Sequence, residues 1–259
     1  MAIKAIMVDV DGVLIVHPDQ RGWQRHLERD LGIPAACLQQ EFFDKHWDDV
    51  VHGRAALRER LAPVLRDLAP DVSCDDLIRY WFTNDAHVND ALLRELASIR
   101  SGGMQVHLAT VQEHERALFL WNDLGFRDRF DRLHYAAELG CSKPAADFYR
   151  EIEKRTGFSS SELILIDDRL PNVEGAIACG WSAAVWTPGN SLRSLLTGAV
   201  RRLMDRAAAA GELRADIGPE DVLRMLVALC YGSDAAGWQA NVLRLLDVFV
   251  DGLCRPAER

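Results

Sequence analysis

Two aspartates near the start of the chain have the spacing of groups that share one site. Asp9 and Asp11 follow an apolar run from Ile3 to Val8 and are separated by a single valine. The run predicts a buried strand of a parallel sheet, and side chains at i and i+2 of an extended segment point to the same side. Gly12 then permits a sharp turn close to a bound group. Because such sheets bind ligands at the carboxyl ends of their strands, we expect both acids to face one site, although Asp and Gly are also ordinary turn residues.

Four further polar residues follow later predicted strands in the same way. Thr110 follows the second strand, Lys143 lies in the loop after the third, and Asp167 and Asp168 follow the fourth. Singly, the threonine is also typical of a helix cap, the lysine of a surface charge and the two acids of a solvated loop. Together with the first two acids they predict a crevice whose carboxylates would repel one another unless a cation neutralises them. Oxygen ligands of this kind suit Mg²⁺, which often leaves room for a phosphate oxygen.

The order of the predicted elements indicates an α/β fold with a parallel, doubly wound sheet. Strands alternate with helices from residue 104 to residue 186, and right-handed crossovers place the loops after successive strands at one edge. The strands predicted after the first are Met104–Ala109, Leu133–Ala136, Leu163–Ile166 and Ala183–Trp186, and the helices between them are Glu113–Leu124, Ala145–Thr156 and Val173–Cys179.

Two further regions carry only helical patterns. Residues 15–83 are too long for one crossover and predict a helical cap inserted between residues 1–14 and 84–195 of the core. Residues 196–259 contain no strand pattern and predict an all-α C-terminal extension. The helices predicted before the second strand are Gly22–Leu31, Pro34–Val51, Arg54–Leu68, Cys74–Phe82 and Val88–Arg100, and those after the last strand are about Leu192–Ala210, Pro219–Tyr231 and Ala240–Leu253.

Composition excludes several classes of protein. The 259 residues carry a formal net charge of −9, which argues against a broad surface for nucleic acids or anionic membranes. The six cysteines form no CxxC pair and have no metal-ligand spacing. No signal-peptide pattern precedes the first strand, and no apolar run has the roughly 18 residues of a membrane span. We therefore expect a cytoplasmic protein with reduced cysteines.

The polar residues described above resemble the four motifs of the haloacid dehalogenase (HAD) superfamily of hydrolases. The stretch Asp9-Val10-Asp11-Gly12-Val13-Leu14 is similar to the first motif, Thr110 to the second, Lys143-Pro144 to the third and Ile166-Asp167-Asp168 to the fourth. The resemblance covers about residues 1–195 and includes the position of the cap after the first motif. It implies a Rossmann-like core, a bound Mg²⁺ and, in most members, hydrolysis of a small phosphomonoester.

The resemblance also implies a role for each motif residue. Asp9 is expected to be the nucleophile that forms an aspartyl-phosphate. Asp11 is expected to protonate the leaving alcohol and then to deprotonate the attacking water. Thr110 is expected to donate a hydrogen bond to a phosphoryl oxygen, and Lys143 to offset the charge of the nucleophile and the phosphate. The expected Mg²⁺ ligands are Asp9, the backbone carbonyl of Asp11, and Asp168, with Asp167 as support.

The sequence departs from the family pattern at two places. The last motif reads Asp-Asp-Arg-Leu-Pro-Asn, where many relatives have Gly-Asp and a later Asp. The Asp-Asp form also occurs in the family, so the departure concerns the metal ligands and not the chemistry. Thr110 is followed by Val111, where phosphatase relatives often have Asn. Dehalogenase members generally lack the second acid of the first motif, so Asp11 favours a phosphatase over a dehalogenase. Sugar-phosphate mutases keep both acids and stay open as an alternative.

The cap is expected to select the substrate, since the core binds only the phosphate. Five cap residues are candidates to face the crevice, although each is also typical of a surface or packing position. They are His17, Arg21, Trp23, Trp47 and Arg54.

The last part of the chain is similar to the effector-binding and dimerisation half of TetR-type transcriptional regulators. The similarity spans about 60 residues and includes the phrase Gly-Glu-Leu-Arg-Ala-Asp at residues 211–216. The helix-turn-helix of that family is absent, so we expect no DNA binding. The resemblance implies a homodimer formed through the last two helices, against the alternative that they pack on their own sheet domain. A regulatory protein with an inert HAD-like domain is therefore a second functional hypothesis.

Overall fold

The computed structural model describes residues 3–19 and 21–192, and beyond these only isolated positions between residues 195 and 253. The chain divides into two compact units, residues 1–188 and residues 189–259. Most of the three helices predicted after residue 192 lies outside the described residues. In the part of the chain that the structure describes, no helix combines the length and the apolar character needed to cross a membrane.

A five-stranded parallel sheet forms the centre of the first unit, as the alternation of elements predicts. Its strands are β1 (Ala5–Val8), β2 (Gln105–Thr110), β3 (Arg132–Tyr135), β4 (Leu163–Asp167) and β5 (Ser182–Val185). They lie in the order β3-β2-β1-β4-β5, and every neighbouring pair is parallel. All four residues of the central strand β1 are buried, because strands covered on both faces of a sheet are apolar throughout. The predicted α/β fold class is confirmed.

The helices between β1 and β2 begin with a group that has an apolar core of its own. Buried side chains between Leu27 and Phe82 pack together in this group. Its helices are α1 (Leu27–Leu31), α2 (Ala35–Leu38), α3 (Asp44–Val51), α4 (Leu57–Leu68) and α5 (Cys74–Asn84), with a 3₁₀ turn at Gly22–His26 and a π turn at Gln39–Phe43 that joins α2 to α3.

Two linkers connect this helical group to the sheet, and they run side by side. The backbone N–H of Val16 donates to the carbonyl of His87 at 3.0 Å, and the N–H of Asn89 donates to the carbonyl of Leu14 at 2.7 Å. The chain therefore enters and leaves the helical group at one place, next to the loop after β1.

The remaining helices cover the sheet. They are α6 (Asp90–Ser101), α7 (His114–Leu118, continued by a π turn at Phe119–Asp123), α8 (Ala136–Leu139), α9 (Ala146–Thr156) and α10 (Leu170–Ala178). Phe148 and Ile152 of α9 belong to the same buried apolar cluster as Met7 and Leu165 of the sheet. The sequence predicted α10 to start at Val173, and this was wrong by three residues. Its first turn contains Pro171, which is compatible with a helix start because the N–H groups of the first turn have no partner within the helix.

Candidate active site

The two acids after β1 differ in exposure. The N–H of Asp9 donates to the carbonyl of Ile166 at 2.9 Å, so the backbone of Asp9 is still bonded to β4. Its side chain is buried, and its Oδ1 accepts a hydrogen bond from the N–H of Val10 at 2.8 Å. The side chain of Asp11 is 56% exposed. The i, i+2 spacing thus produces one enclosed carboxylate and one accessible carboxylate.

Gly12 brings the turn after β1 against the loop after β4. Its φ of +80° lies in the left-handed region, which side chains disfavour. A Cβ built on Gly12 would lie 2.3 Å from Oδ2 of Asp168. Only glycine therefore leaves room for the Asp168 carboxylate in its present position.

Lys143 lies between two carboxylates at the end of the sheet. Its Nζ is 2.9 Å from Oδ2 of Asp9 and 2.5 Å from Oδ2 of Asp167, and it donates to the carbonyl of Ala109 at 2.8 Å. The lysine side chain is fully buried. A buried ammonium with three oxygen partners is held rigidly, because losing any of these contacts would weaken the compensation of a charge that water does not reach.

Asp167 has partners on both of its oxygens. Oδ1 accepts hydrogen bonds from the N–H of Arg169 and from Nδ2 of Asn172, each at 2.9 Å. Oδ2 accepts from Lys143 at 2.5 Å. These contacts favour a supporting role for Asp167, which orients the lysine, over a role as a free metal ligand.

Three carboxylates converge on the space beside Lys143. Asp9, Asp167 and Asp168 each offer an oxygen, and these oxygens lie within 4.8 Å of one another. Burial raises the pKa of Asp9 above its ordinary value; Lys143 opposes this shift and Asp167 adds to it. Burial and the charge of Asp167 also raise the pKa of Asp168. One ammonium does not balance three carboxylates, so the donor set fits a divalent cation with oxygen ligands.

Thr110 and a residue that the sequence analysis missed complete the edge of the sheet. Thr110 is the last residue of β2 and is buried. Nε2 of Gln112 lies 3.5 Å from its hydroxyl and donates to Oδ2 of Asp11 at 2.6 Å. The signal for Gln112 was present, since it lies two residues after Thr110 just as Asp11 lies two residues after Asp9.

Arg116 is a second residue that the sequence analysis did not single out. Its guanidinium is buried and donates to the carbonyl of Phe82 at 3.1 Å and to Oδ2 of Asp85 at 3.1 Å. It also lies 4.0 Å from Oδ1 of Asp11. Burial raises the pKa of Asp85 to about 6, with Arg116 opposing the shift. The arginine thus joins the end of α5 to α7 beside the exposed acid.

The helical group also touches the loop that carries Lys143. Nε2 of His52, just after α3, is hydrogen-bonded to Oγ of Ser142 at 2.9 Å. A Cβ on the neighbouring Gly53 would lie 2.4 Å from the carbonyl oxygen of Ala137. The end of α3 therefore sits directly against the segment before Lys143.

The five candidates for substrate recognition lie in three kinds of surroundings, and Trp23, which lines a pocket, also stacks on Trp81 with ring centroids 5.1 Å apart. His17 and Trp23 line a pocket of about 250 Å³ near the two linkers, together with residues that include Tyr80 and His87. Trp47 packs against Phe43 and Trp81 in the helical group. The other two form ion pairs at the surface, Arg21 with Asp19 and Arg54 with Asp49.

Comparison with known proteins identifies two family profiles along the chain. The profile described as haloacid dehalogenase-like hydrolase matches residues 3–180. The profile described as the C-terminal domain of SbtR-like transcriptional regulators matches residues 179–255. The second match agrees with the resemblance to TetR-type regulators in the last part of the sequence.

Solved structures with the same fold cover most of the chain. A HAD family enzyme of Bacteroides thetaiotaomicron, in complex with magnesium and inorganic phosphate, is 17% identical with a TM-score of 0.61, covering 75% of this chain and 99% of its own. A predicted HAD-like family hydrolase of Porphyromonas gingivalis is 20% identical with a TM-score of 0.63, covering 78% and 99%. A 2-haloacid dehalogenase of Pseudomonas syringae is 20% identical with a TM-score of 0.52, covering 73% and 89%.

Proposed function

The chain belongs to the haloacid dehalogenase-like hydrolase family, and from this premise we propose that it is a Mg²⁺-dependent phosphatase of a small phosphomonoester. The observation that carries the proposal is the contact of Lys143 with both Asp9 and Asp167, beside a further carboxylate from Asp168. This arrangement provides an enclosed nucleophile next to a fixed positive charge. A relative of the same fold was solved with magnesium and inorganic phosphate, which supports the choice of ligands.

In the proposed reaction, the chain's own residues supply the nucleophile and most of the positioning. A carboxylate oxygen of Asp9 attacks phosphorus, the bond to the leaving oxygen breaks, and Asp11 transfers its proton to that oxygen. The hydroxyl of Thr110 donates a hydrogen bond to a phosphoryl oxygen, while Lys143 offsets the negative charge of Asp9 and the phosphate. Asp11 then takes a proton from the water that attacks the phosphorus, which releases phosphate and restores Asp9.

The residues present fit a Mg²⁺ ion at the same place. We propose Asp9, the backbone carbonyl of Asp11, and Asp168 as its ligands, with Asp167 supporting the site through Lys143. When bound, Mg²⁺ supplies charge neutralisation for the phosphoryl oxygens and the carboxylates. Both oxygens of Asp167 already accept hydrogen bonds, which supports Asp168 as the ligand of the pair.

We propose that residues 15–83 act as the cap of this active site. Their separate apolar core supports movement as a unit, and the paired linkers beside the β1 loop provide a connection at which they can turn. The contact between His52 and Ser142 joins the cap to the loop of Lys143. His17 and Trp23, in the pocket near the linkers, are the best placed of the expected specificity residues.

Release of phosphate from 4-nitrophenyl phosphate with Mg²⁺ tests the proposal. We expect turnover by the purified protein, loss of turnover in Asp9→Asn, and normal turnover in Asp147→Asn, an exposed aspartate on α9. The absence of turnover on 4-nitrophenyl phosphate and on a panel of phosphorylated metabolites would contradict a phosphatase. An Asp9→Asn variant as active as the wild type would do so as well.

Two other activities of the family are separated by the products. A mutase transfers the phosphoryl group between hydroxyls of a sugar phosphate and releases little inorganic phosphate. A dehalogenase releases halide from a 2-haloacid such as 2-chloropropionate, and the fold relative from Pseudomonas syringae carries that name. Halide release that depends on Asp9, without phosphate release, would replace the phosphatase proposal. The presence of Asp11 supports the phosphatase.

We propose that the second unit mediates homodimerisation. Its similarity to the C-terminal domain of SbtR-like regulators supports this role, as do two exposed apolar side chains, Leu245 and Val248, at 53% and 67% exposure. The sequence predicts a helix over Ala240–Leu253, and residues three apart on such a helix lie on one face. We expect a dimer of the full chain by light scattering, and a monomer with intact phosphatase activity in Leu245→Glu/Val248→Glu. A wild-type monomer would contradict the proposal.

A further inference from the structure

Among the residues that the structure describes, Gln112 is the one that makes a hydrogen bond to the carboxylate of Asp11. We propose that Gln112 is a positioning residue that holds Asp11 in reach of the leaving-group oxygen. The inference rests on the proposed phosphatase function. Neither the HAD motifs nor the spacing of the acids assigns a role to this glutamine.

Asp11 needs such a partner because its own surroundings do not fix it. Its side chain is 56% exposed and lies on the turn after β1. Nε2 of Gln112 donates to its Oδ2 at 2.6 Å, whereas the guanidinium of Arg116 is 4.0 Å from its Oδ1. At 4.0 Å the arginine attracts the carboxylate without a hydrogen bond, so the amide fixes the orientation.

Gln112 is itself held in place. Its side chain is buried, although the carboxylate that it contacts is exposed. Its backbone carbonyl accepts a hydrogen bond from the N–H of Ala137 at 3.1 Å. A buried amide on an anchored backbone loses little entropy when it binds its partner, which is what a positioning group requires.

The same amide connects Asp11 to the expected phosphate site. Its Nε2 lies 3.5 Å from the hydroxyl of Thr110, the group proposed to donate to a phosphoryl oxygen. Gln112 therefore sets the distance between the phosphoryl group and the acid. In the first step the bond from Asp9 to phosphorus forms, the bond to the leaving oxygen breaks, and the proton of Asp11 passes to that oxygen.

Leaving-group dependence tests this inference. 4-Nitrophenolate is a stable anion that leaves without a proton, whereas phenolate, about as basic as a tyrosine side chain, leaves better when protonated. In Gln112→Met, which keeps the length of the side chain but removes the donor, kcat/KM should fall about tenfold more for phenyl phosphate than for 4-nitrophenyl phosphate. This tenfold difference is part of the roughly 10²–10⁴-fold rate acceleration that general acid catalysis supplies.

Two controls separate positioning from a structural effect. Gln105→Met removes a glutamine at the other end of β2, where it contacts buried His107, and should leave the substrate ratio unchanged. In an Asp11→Asn background, Gln112→Met should not change the ratio further, because both changes remove the same function. Equal losses on both substrates in Gln112→Met, or an additional change in the Asp11→Asn background, would overturn the inference. The wild-type rates test the proposed function separately.

Discussion

Gly12→Ala adds one methyl group at the point where the turn after β1 passes Asp168. The new Cβ would lie 2.3 Å from Oδ2, 2.5 Å from Cγ and 3.1 Å from Oδ1 of Asp168. The carboxylate must rotate away, because the first two distances are shorter than any real contact of a Cβ. We therefore expect Gly12→Ala to keep the fold and to lose the proposed metal site.

The magnitude has two parts. Alanine at the φ of +80° of Gly12 costs about 1–2 kcal/mol in backbone strain. Moving Asp168 off its preferred rotamer adds about 0.5–1.5 kcal/mol, so the free energy of unfolding should fall by roughly 1.5–3.5 kcal/mol. Mg²⁺ affinity should fall on the order of 10–100-fold or more, as when the support of a metal ligand is lost.

Urea unfolding and a Mg²⁺ titration of phosphatase activity measure the two effects. Gly157→Ala is the matched control, since Gly157 has a φ of +75° and no atom within 4 Å of a built Cβ. Gly157→Ala should lose as much unfolding free energy to backbone strain as Gly12→Ala does, and its activity should depend on Mg²⁺ as that of the wild type does. In an Asp168→Ala background, Gly12→Ala should cost only as much as Gly157→Ala does.

Two results would refute this reasoning. The first is a Gly12→Ala protein that needs no more Mg²⁺ than the wild type for half-maximal activity. The second is a loss of unfolding free energy on Gly12→Ala that is as large in the Asp168→Ala background as in the wild type. The clash would then involve something other than the carboxylate.

Two further predictions concern buried titratable groups. Burial lowers the pKa of His107 to about 4 and that of His134 to about 3. Below about pH 6.5 the unfolded chain gains protons at these two histidines, whereas the folded chain does not. Each histidine should therefore lower the free energy of unfolding by about 2 kcal/mol at about pH 5. The free energy of unfolding, measured with urea, should therefore depend less on pH in His134→Leu than in the wild type. Equal dependence on pH in the two proteins would contradict a His134 that stays uncharged in the folded chain. Lys143→Met removes the cation between Asp9 and Asp167, so it should abolish turnover and cost about 3–5 kcal/mol at about pH 8, as when one partner of a buried ion pair is removed. Burial raises the pKa of Asp9 to about 7, so part of that cost should return on acidification as Asp9 gains a proton. A Lys143→Met protein whose thermal stability equals that of the wild type at both pH values would contradict the pairing.

The sheet and its polar edge were accessible to sequence reasoning because they depend on local patterns. The apolar run before Asp9 predicts a buried strand, and the parallel direction of β1 and its neighbours β2 and β4 follows from the alternation of strands and helices. Three adjacent strands then end at one edge, so residues far apart in sequence, such as Thr110 and Asp167, end beside the same pair of acids.

The partners of Asp11 could not be predicted in the same way. Gln112 reaches it from 101 residues away. Its position two residues after Thr110 indicates the edge of the sheet where it lies, but it does not show that its amide contacts Asp11. Arg116 lies in the predicted helix Glu113–Leu124, and arginine is typical of the exposed face of a helix. Its burial depends on Asp85 and the carbonyl of Phe82 at the end of α5, and the packing of α5 on α7 is a tertiary contact.

The account depends on Asp9 as a nucleophile, and the phosphorylated enzyme tests this directly. Asp11→Asn protein, mixed with 4-nitrophenyl phosphate and Mg²⁺ and quenched in acid, should be analysed by mass spectrometry of its peptides. Without the base that activates water, the intermediate should accumulate as one phosphoryl group on the peptide that contains Asp9, and the Asp9→Asn protein should carry none. Two results would contradict the account. In the first, the wild type releases phosphate but no phosphorylated Asp9 is found in the Asp11→Asn protein. In the second, the phosphoryl group is found on another residue.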